Sequence, residues 1–82
     1  MSRRYRLQYN DQARDALRKM SSQRRRLFEA AVADIAAAPY VHGQALDENR
    51  DRRQAPVAGA VTVYWVSSGV LTVFVVRITH TD

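Results

Sequence analysis

The stretch that most constrains this chain is its final strand candidate, VLTVFVVRIT, from Val70 to Thr79. Both its odd and its even positions are apolar for most of its length. Neither face can then be given to water, and the strand belongs in the middle of a sheet with helices over one side. The rest of the chain must supply its neighbours and its cover. RYRLQY alternates Tyr5, Leu7 and Tyr9 against Arg4, Arg6 and Gln8, the period of a half-buried first strand. Asn10 or Asp11 then caps a helix carrying Ala13, Ala16, Leu17 and Met20 on one stripe. Ser21 and Ser22 interrupt it and cap a second helix. There Leu27, Phe28, Ala31, Val32 and Ile35 recur at three- and four-residue steps until Pro39. So short a join makes the helices an antiparallel pair.

Between His42 and Gln54 the sequence is polar, with Leu46 its only large apolar residue, and reads as a loop leading into a second strand. Pro56 has no N–H for a ladder, so that strand ends early or lies at an edge. VAGA turns into VTVYWV, and SSG turns into the last strand. The expected architecture is α+β, in the order β-α-α-β-β-β. It is a mainly antiparallel four-stranded sheet with the N-terminal helix pair packed on one face, a single domain over residues 1–82.

A chain of 82 residues without cysteine has a small core and neither disulfides nor a thiolate zinc site to reinforce it. Binding a partner is the expected supplement. No run reaches the roughly 18–20 apolar residues of a membrane span, and no apolar block follows the basic N-terminus. A cytoplasmic chain without a membrane partner is expected. The net charge of +5 is almost entirely arginine, with Lys19 the only lysine. The planar guanidinium suits phosphate, which favours a polyanionic partner.

Alternation puts Leu71, Val73, Val75, Arg77 and Thr79 on one face of the last strand and Val70, Thr72, Phe74, Val76, Ile78 and His80 on the other. A regular strand thus holds Arg77 and His80 apart, and only a bulge or a frayed end would unite them. Asp82 and the terminal carboxylate lie close to His80 in sequence and favour its imidazolium; the plainer alternative is a solvated histidine at a strand end. ENRDRRQ gathers Glu48, Arg50, Arg52 and Arg53. It is either a cation cluster beside an acid, able to hold a phosphate and move a proton, or a loop of self-neutralising pairs. Arg24, Arg25 and Arg26 oppose the macrodipole of the second helix, which marks them for binding unless Glu29 simply relieves a solvated face. Tyr64 and Trp65 are adjacent, so one faces the core and the other is available to stack on a base or to pack under a helix. The sequence has no Gly-rich phosphate loop, paired-histidine spacing or serine elbow, and His42 is far from His80; no metal or cofactor is expected.

The element order, the helix ending near Pro39, the ALDEN loop, the arginine-led strand, VTVYWV and LTVFVVRITH together resemble the RelE/ParE superfamily of small basic toxins from bacterial toxin–antitoxin pairs. The resemblance spans nearly the whole chain, and the closing histidine is most like the YoeB-type branch. It implies a ribosome-dependent mRNA endonuclease, monomer or dimer, neutralised by a cognate antitoxin. In that reaction the RNA's 2′-hydroxyl attacks the adjacent phosphate without metal. The protein supplies a base, an acid for the leaving 5′-oxygen and positive charge for the phosphorane. Carried over by position, His80 is the general acid, and Arg53, or Arg52 one register away, holds the scissile phosphate. The family's loop acid falls near Gln44, with Glu48 the nearest substitute. Arg24, Arg25, Arg26, Arg50 and Arg52 are the expected RNA-binding set.

The pattern is degenerate. Val61 replaces an arginine common in the family, Gln54 stands at the second basic position, and no tyrosine follows the last strand; Arg77 is the compensating cation. If the site is inactive, the same fold implies a gyrase-directed inhibitor of the ParE type, a nucleic-acid binder, or an interaction module pairing through its edges. The catalytic expectation requires His80 and the arginines near position 53 to share one cationic hollow on the bare side of the sheet.

Overall fold

The computed structural model describes residues 4–80. Seven elements follow one another: β1 (Arg6–Tyr9), α1 (Asp11–Arg18), α2 (Ser22–Ala37), β2 (Gln44–Leu46), β3 (Asn49–Val57), β4 (Ala60–Ser67) and β5 (Thr72–Thr79). The strands form one sheet in the order β1-β5-β4-β3-β2. As its apolar faces require, β5 lies inside. The helices carry the chain to the far edge at β2, and three antiparallel pairings bring it back to β5, which runs parallel to β1.

One expectation is corrected here: the sheet has five strands among the described residues, not four; it is mainly antiparallel as expected, with β1–β5 its parallel pair. The missed strand, β2, falls in the polar stretch read as a loop. It is short and largely exposed, so it has no apolar alternation to betray it. Turn geometry specifies it instead. Asp47 and Glu48 have φ of 52° and 59° between the paired residues Leu46 and Asn49, the left-handed pair that a tight two-residue hairpin needs. Just before β2, Gly43 has φ +70°, and a Cβ there would stand 2.5 Å from the carbonyl oxygen of Gln54. Only glycine fits so close to β3. Pairing with β2 ends at Gln54, so Pro56 lies where β3 is itself the edge.

Both helices begin at the caps expected of them. Asn10 Oδ1 accepts from the Ala13 N–H (2.9 Å) and Ser21 Oγ from the Arg24 N–H (3.2 Å). Ala13, Ala16, Leu17 and Met20 are buried, as are Phe28, Val32 and Ile35. They meet Val57, Tyr64, Val73, Val75 and Ile78 in one core. Leu27 departs from the expected stripe and is 60% exposed. It lies about 100° around α2 from Phe28, and the stripe that faces the sheet is centred on Phe28, Val32 and Ile35.

One irregularity in β5 governs the placement of its polar residues. Val63 and Tyr64 are consecutive on β4, but their partners are Arg77 and Val75, so Val76 is an extra residue in a β-bulge. The bulge resets the alternation. Val73 and Val75 face the core before it and Ile78 faces the core after it, while Arg77 and Thr79 turn outward. The backbone groups released there are taken up at the start of α1. The Asn10 N–H donates to Val75 O (3.1 Å) and Asn10 Nδ2 to Val76 O (2.9 Å), while Gln12 Oε1 accepts from the Ile78 N–H (3.2 Å). Where β1 ends, α1 continues to hold the edge of β5. Among the described residues no helix is long and apolar enough to cross a membrane.

Candidate nucleic-acid interface

Residues paired across a sheet project from the same face. Arg52 pairs with Trp65, Trp65 with Phe74, and Phe74 with Gln8; beside this row stand Gln54, Val63 and Arg77, and at the far side Arg6 pairs with Thr72. All project from the face that the helices leave bare. Trp65 is 45% exposed there while Tyr64 is fully buried on the covered face, the division expected of that pair. The Arg52 guanidinium lies 4.8 Å from the centre of the Trp65 ring. Arg52 and Arg77 are about 12 Å apart at Cα from strand spacing and rise. Among the described residues, the paired positions on this face carry three arginines, Arg6, Arg52 and Arg77, and no carboxylate.

Arg53 does not join them. Its side chain is buried at 8% exposure on the covered face, in line with Ala55 and Val57. Its Nε donates to His42 O (3.1 Å), Nη1 to Arg50 O (3.2 Å), and Nη2 to Tyr40 O and Gly43 O (both 3.3 Å). The Tyr64 hydroxyl donates to the same segment, at His42 O (2.9 Å) or Pro39 O (3.1 Å). Burial raises the Tyr64 pKa above its ordinary value, with Arg53 opposing, so the phenol stays a donor. Arg53 thus ties the segment from Tyr40 to Arg50 to the sheet. Arg52, the alternative register, projects from the bare face instead. The parity that Arg53 shares with Ala55 and Val57 was the sequence signal for this.

His80 also faces the helices. Its Nε2 lies 3.0 Å from Ala16 O, in a cleft with Gln12, Asp15, Lys19 and Ile78. The bulge therefore does not unite Arg77 and His80; it exchanges their faces, sending Arg77 to the bare side and His80 to the covered one. Val75 is two pairings from Arg53, and His80 lies five residues beyond Val75. That puts the imidazole and Arg53 about 15–20 Å apart at Cα. Glu48 sits in the β2–β3 turn, at the opposite end of the sheet from His80. The expected hollow shared by His80 and the Arg53 cluster is not formed. Asp82, invoked beside His80, lies outside the described residues.

The other expected cations are dispersed. Arg24 Nη1 donates to Ala58 O (2.5 Å) and docks α2 on the β3–β4 turn. Arg25 acts on Tyr9, whose pKa is raised by burial and by Glu29 against the pull of Arg25. Arg24, Arg25 and Arg26 all belong to the helical layer. Arg50 lies 4.3 Å over the Tyr40 ring, and the Tyr40 hydroxyl donates to Asp51 Oδ1 (2.7 Å), the leading cause of that tyrosine's raised pKa. Sequence reasoning missed Arg6 and Gln8 as members of the bare face. Their signal was the polar half of the first strand's alternation, read only as solvent-facing.

The five-stranded mixed sheet backed by a helical hairpin is a fold shared with solved RelE toxin structures. The chain superimposes on a chain of the intact Escherichia coli RelBE toxin–antitoxin complex with a TM-score of 0.79 at 21% identity, over 95% of this chain and 98% of that one. It matches a chain of the Mycobacterium tuberculosis RelBE2 toxin–antitoxin complex at 0.81 and 21% identity, over 96% and 100%. An E. coli RelE mutant in complex with a peptide of the antitoxin RelB matches at 0.78 and 21% identity, over 100% and 86%. No family model matches the sequence, and comparison with curated proteins gives no match. The RelE/ParE resemblance thus holds at the level of fold, and the likeness does not resolve the YoeB-type branch.

Proposed function

We propose that this chain is the toxin of a type II toxin–antitoxin pair and acts on RNA through the bare face of its sheet. The observation that carries this reading is the charge asymmetry: among the described residues, three arginines and no carboxylate at the paired positions of that face. Its fold is shared with chains of two toxin–antitoxin complexes, which supports a cognate antitoxin as partner. The substrate is mRNA in the ribosome, so the protein works in the cytoplasm. The 2′-oxygen bonds to the adjacent phosphorus and the bond to the 5′-oxygen breaks. A 2′,3′-cyclic phosphate is left, and the proton lost from the 2′-hydroxyl is balanced by one gained at the 5′-hydroxyl. Arg52 and Arg77 hold successive phosphates of the RNA, and the one at the scissile phosphate supplies positive charge to the phosphorane, the electrostatic contribution that usually dominates such steps. The resemblance gives the general acid to His80. Its imidazole is engaged at Ala16 on the other layer, so here the arginines carry the acceleration and His80 secures β5 to α1.

Expression in bacteria with primer-extension mapping of translated messages tests this. Growth arrest accompanied by cuts within coding regions is expected, relieved by Arg52→Ala and by Arg77→Ala in chains that still fold. Arrest with intact messages and DNA-damage signalling would instead assign a gyrase-type target and overturn the RNA reading.

A further inference from the structure

A cavity of about 470 Å³ opens on the bare face across β5, lined by Gln8, Tyr9, Asn10, Trp65, Phe74 and Val76. Trp65 and Phe74 are directly paired across β4 and β5, and both line it. The extra residue of the bulge, Val76, forms part of its wall. Such a cavity, with an exposed indole beside it, invites an apolar guest. The surrounding charge decides which one. Arg52 lies against the indole, and Arg77 and Arg6 stand on the same face. An apolar peptide would bury these cations without partners. A second copy docked face to face would set arginines against arginines. A nucleotide brings a π-face for the rings and phosphates for the guanidiniums together. The side chain of Asn10 is engaged at Ala13 N and Val76 O. Gln8 is exposed at the rim, and its carboxamide offers one accepting and one donating group at the spacing of a base edge.

We infer that Trp65 and Phe74 form a stacking subsite for one unpaired base of single-stranded RNA, with Gln8 bonding to the base edge and Arg52 and Arg77 on the flanking phosphates. The inference rests on the RNA reading above and adds the place on the sheet that holds a base; a duplex is excluded from it because its bases are already stacked and paired.

Trp65 is the only tryptophan in the chain, so its emission reports on the subsite alone. Titration of the full chain with a short single-stranded oligoadenylate is expected to quench that emission saturably, and a duplex of the same length is expected not to. In parallel, anisotropy of the labelled oligomer should show Trp65→Ala weakening binding about 5- to 150-fold, the range for losing one stacked base. Trp65→Phe, which keeps a ring and the fold, should retain most of the affinity, and Phe74→Ala and Gln8→Ala should each reduce the quench. Binding that depends on Arg52 and Arg77 but leaves the emission unchanged would overturn the subsite and leave the RNA reading standing. Equal quenching by duplex would also overturn it. A concentration-dependent emission change in the protein alone, with no response to RNA, would give the cavity to a second copy. No RNA binding of any kind would remove the RNA reading and the subsite together.

Discussion

Arg52 and Arg53 are neighbours in sequence and lie on opposite faces of β3, and the contrast between them extends across the whole sheet. On the covered face a guanidinium is buried among four backbone carbonyls and holds a loop in place. On the bare face a guanidinium lies against an exposed indole, with no carboxylate among the paired positions of the described residues. The first environment uses the charge to satisfy the protein's own backbone. The second leaves it for an outside anion. Identical side chains one residue apart thus have separate roles because the strand period is two.

Exchanging each arginine in turn is the sharpest way to break this contrast. Arg53→Ala is expected to cost about 3 kcal/mol in urea unfolding, since several buried carbonyls lose a charged donor at once. Arg53→Lys should recover little, because an ammonium cannot span the same fork of acceptors. Arg52→Ala should stay within about 0.5 kcal/mol of the parent. Equal losses at the two positions would erase the distinction drawn here.

Gly43→Ala probes the same covered-side anchorage from the backbone. Its positive φ and the approach of Gln54 O predict a loss of about 2 kcal/mol, seen as a lowered Tm, with β2 detached from β3. The Arg53–Tyr64 environment also has a signature in pH. The Tyr64 pKa is raised in the fold above the ordinary 10.0, so the native state holds that proton more tightly than the unfolded chain. This contribution is fully present below about pH 10 and is lost as the pH rises through the folded value. Tm should therefore be flat across neutrality and fall on the alkaline side, more shallowly in Tyr64→Phe. A gain instead of a loss is expected at the sheet's tip. Glu48→Gly should raise stability by up to about 1 kcal/mol by relieving a left-handed residue, and it should leave arrest intact. Loss of arrest without loss of fold would restore Glu48 as a reacting acid.

Much of the architecture was legible because its signals are local. Ser21 and Asn10 read as caps, the stripe from Ala13 to Met20 read as a helix face, and VAGA read as a turn. The bulge at Val76 was not legible, for a physical reason. A strand apolar on both faces hides an inserted residue, since either phase presents valines to the core. The groups that stabilise the bulge, Asn10 and Gln12, are about as far away in sequence as the chain allows; Asn10 and Val76 are 66 residues apart. With the phase hidden, Arg77 and His80 were assigned to each other's faces. β2 escaped notice because an exposed edge of three residues needs no apolar pattern to form. The pairing of Arg52 with Trp65 needed the register of β3 on β4, and their juxtaposition with Gln8 and Phe74 needed the parallel pairing of β1 with β5.

The central claim is that RNA binds through the arginines of the bare face. Its most direct test is the salt dependence of single-stranded RNA affinity in the parent, in Arg52→Ala/Arg77→Ala and in Arg25→Ala/Arg26→Ala. If three arginines each neutralise one phosphate, log K should fall against log salt with a slope of about −2. Removing Arg52 and Arg77 should flatten the slope to less than about half of that, and removing Arg25 and Arg26 should leave it unchanged. A slope that survives the first pair of substitutions and collapses with the second would place the RNA on the helical layer and contradict the account.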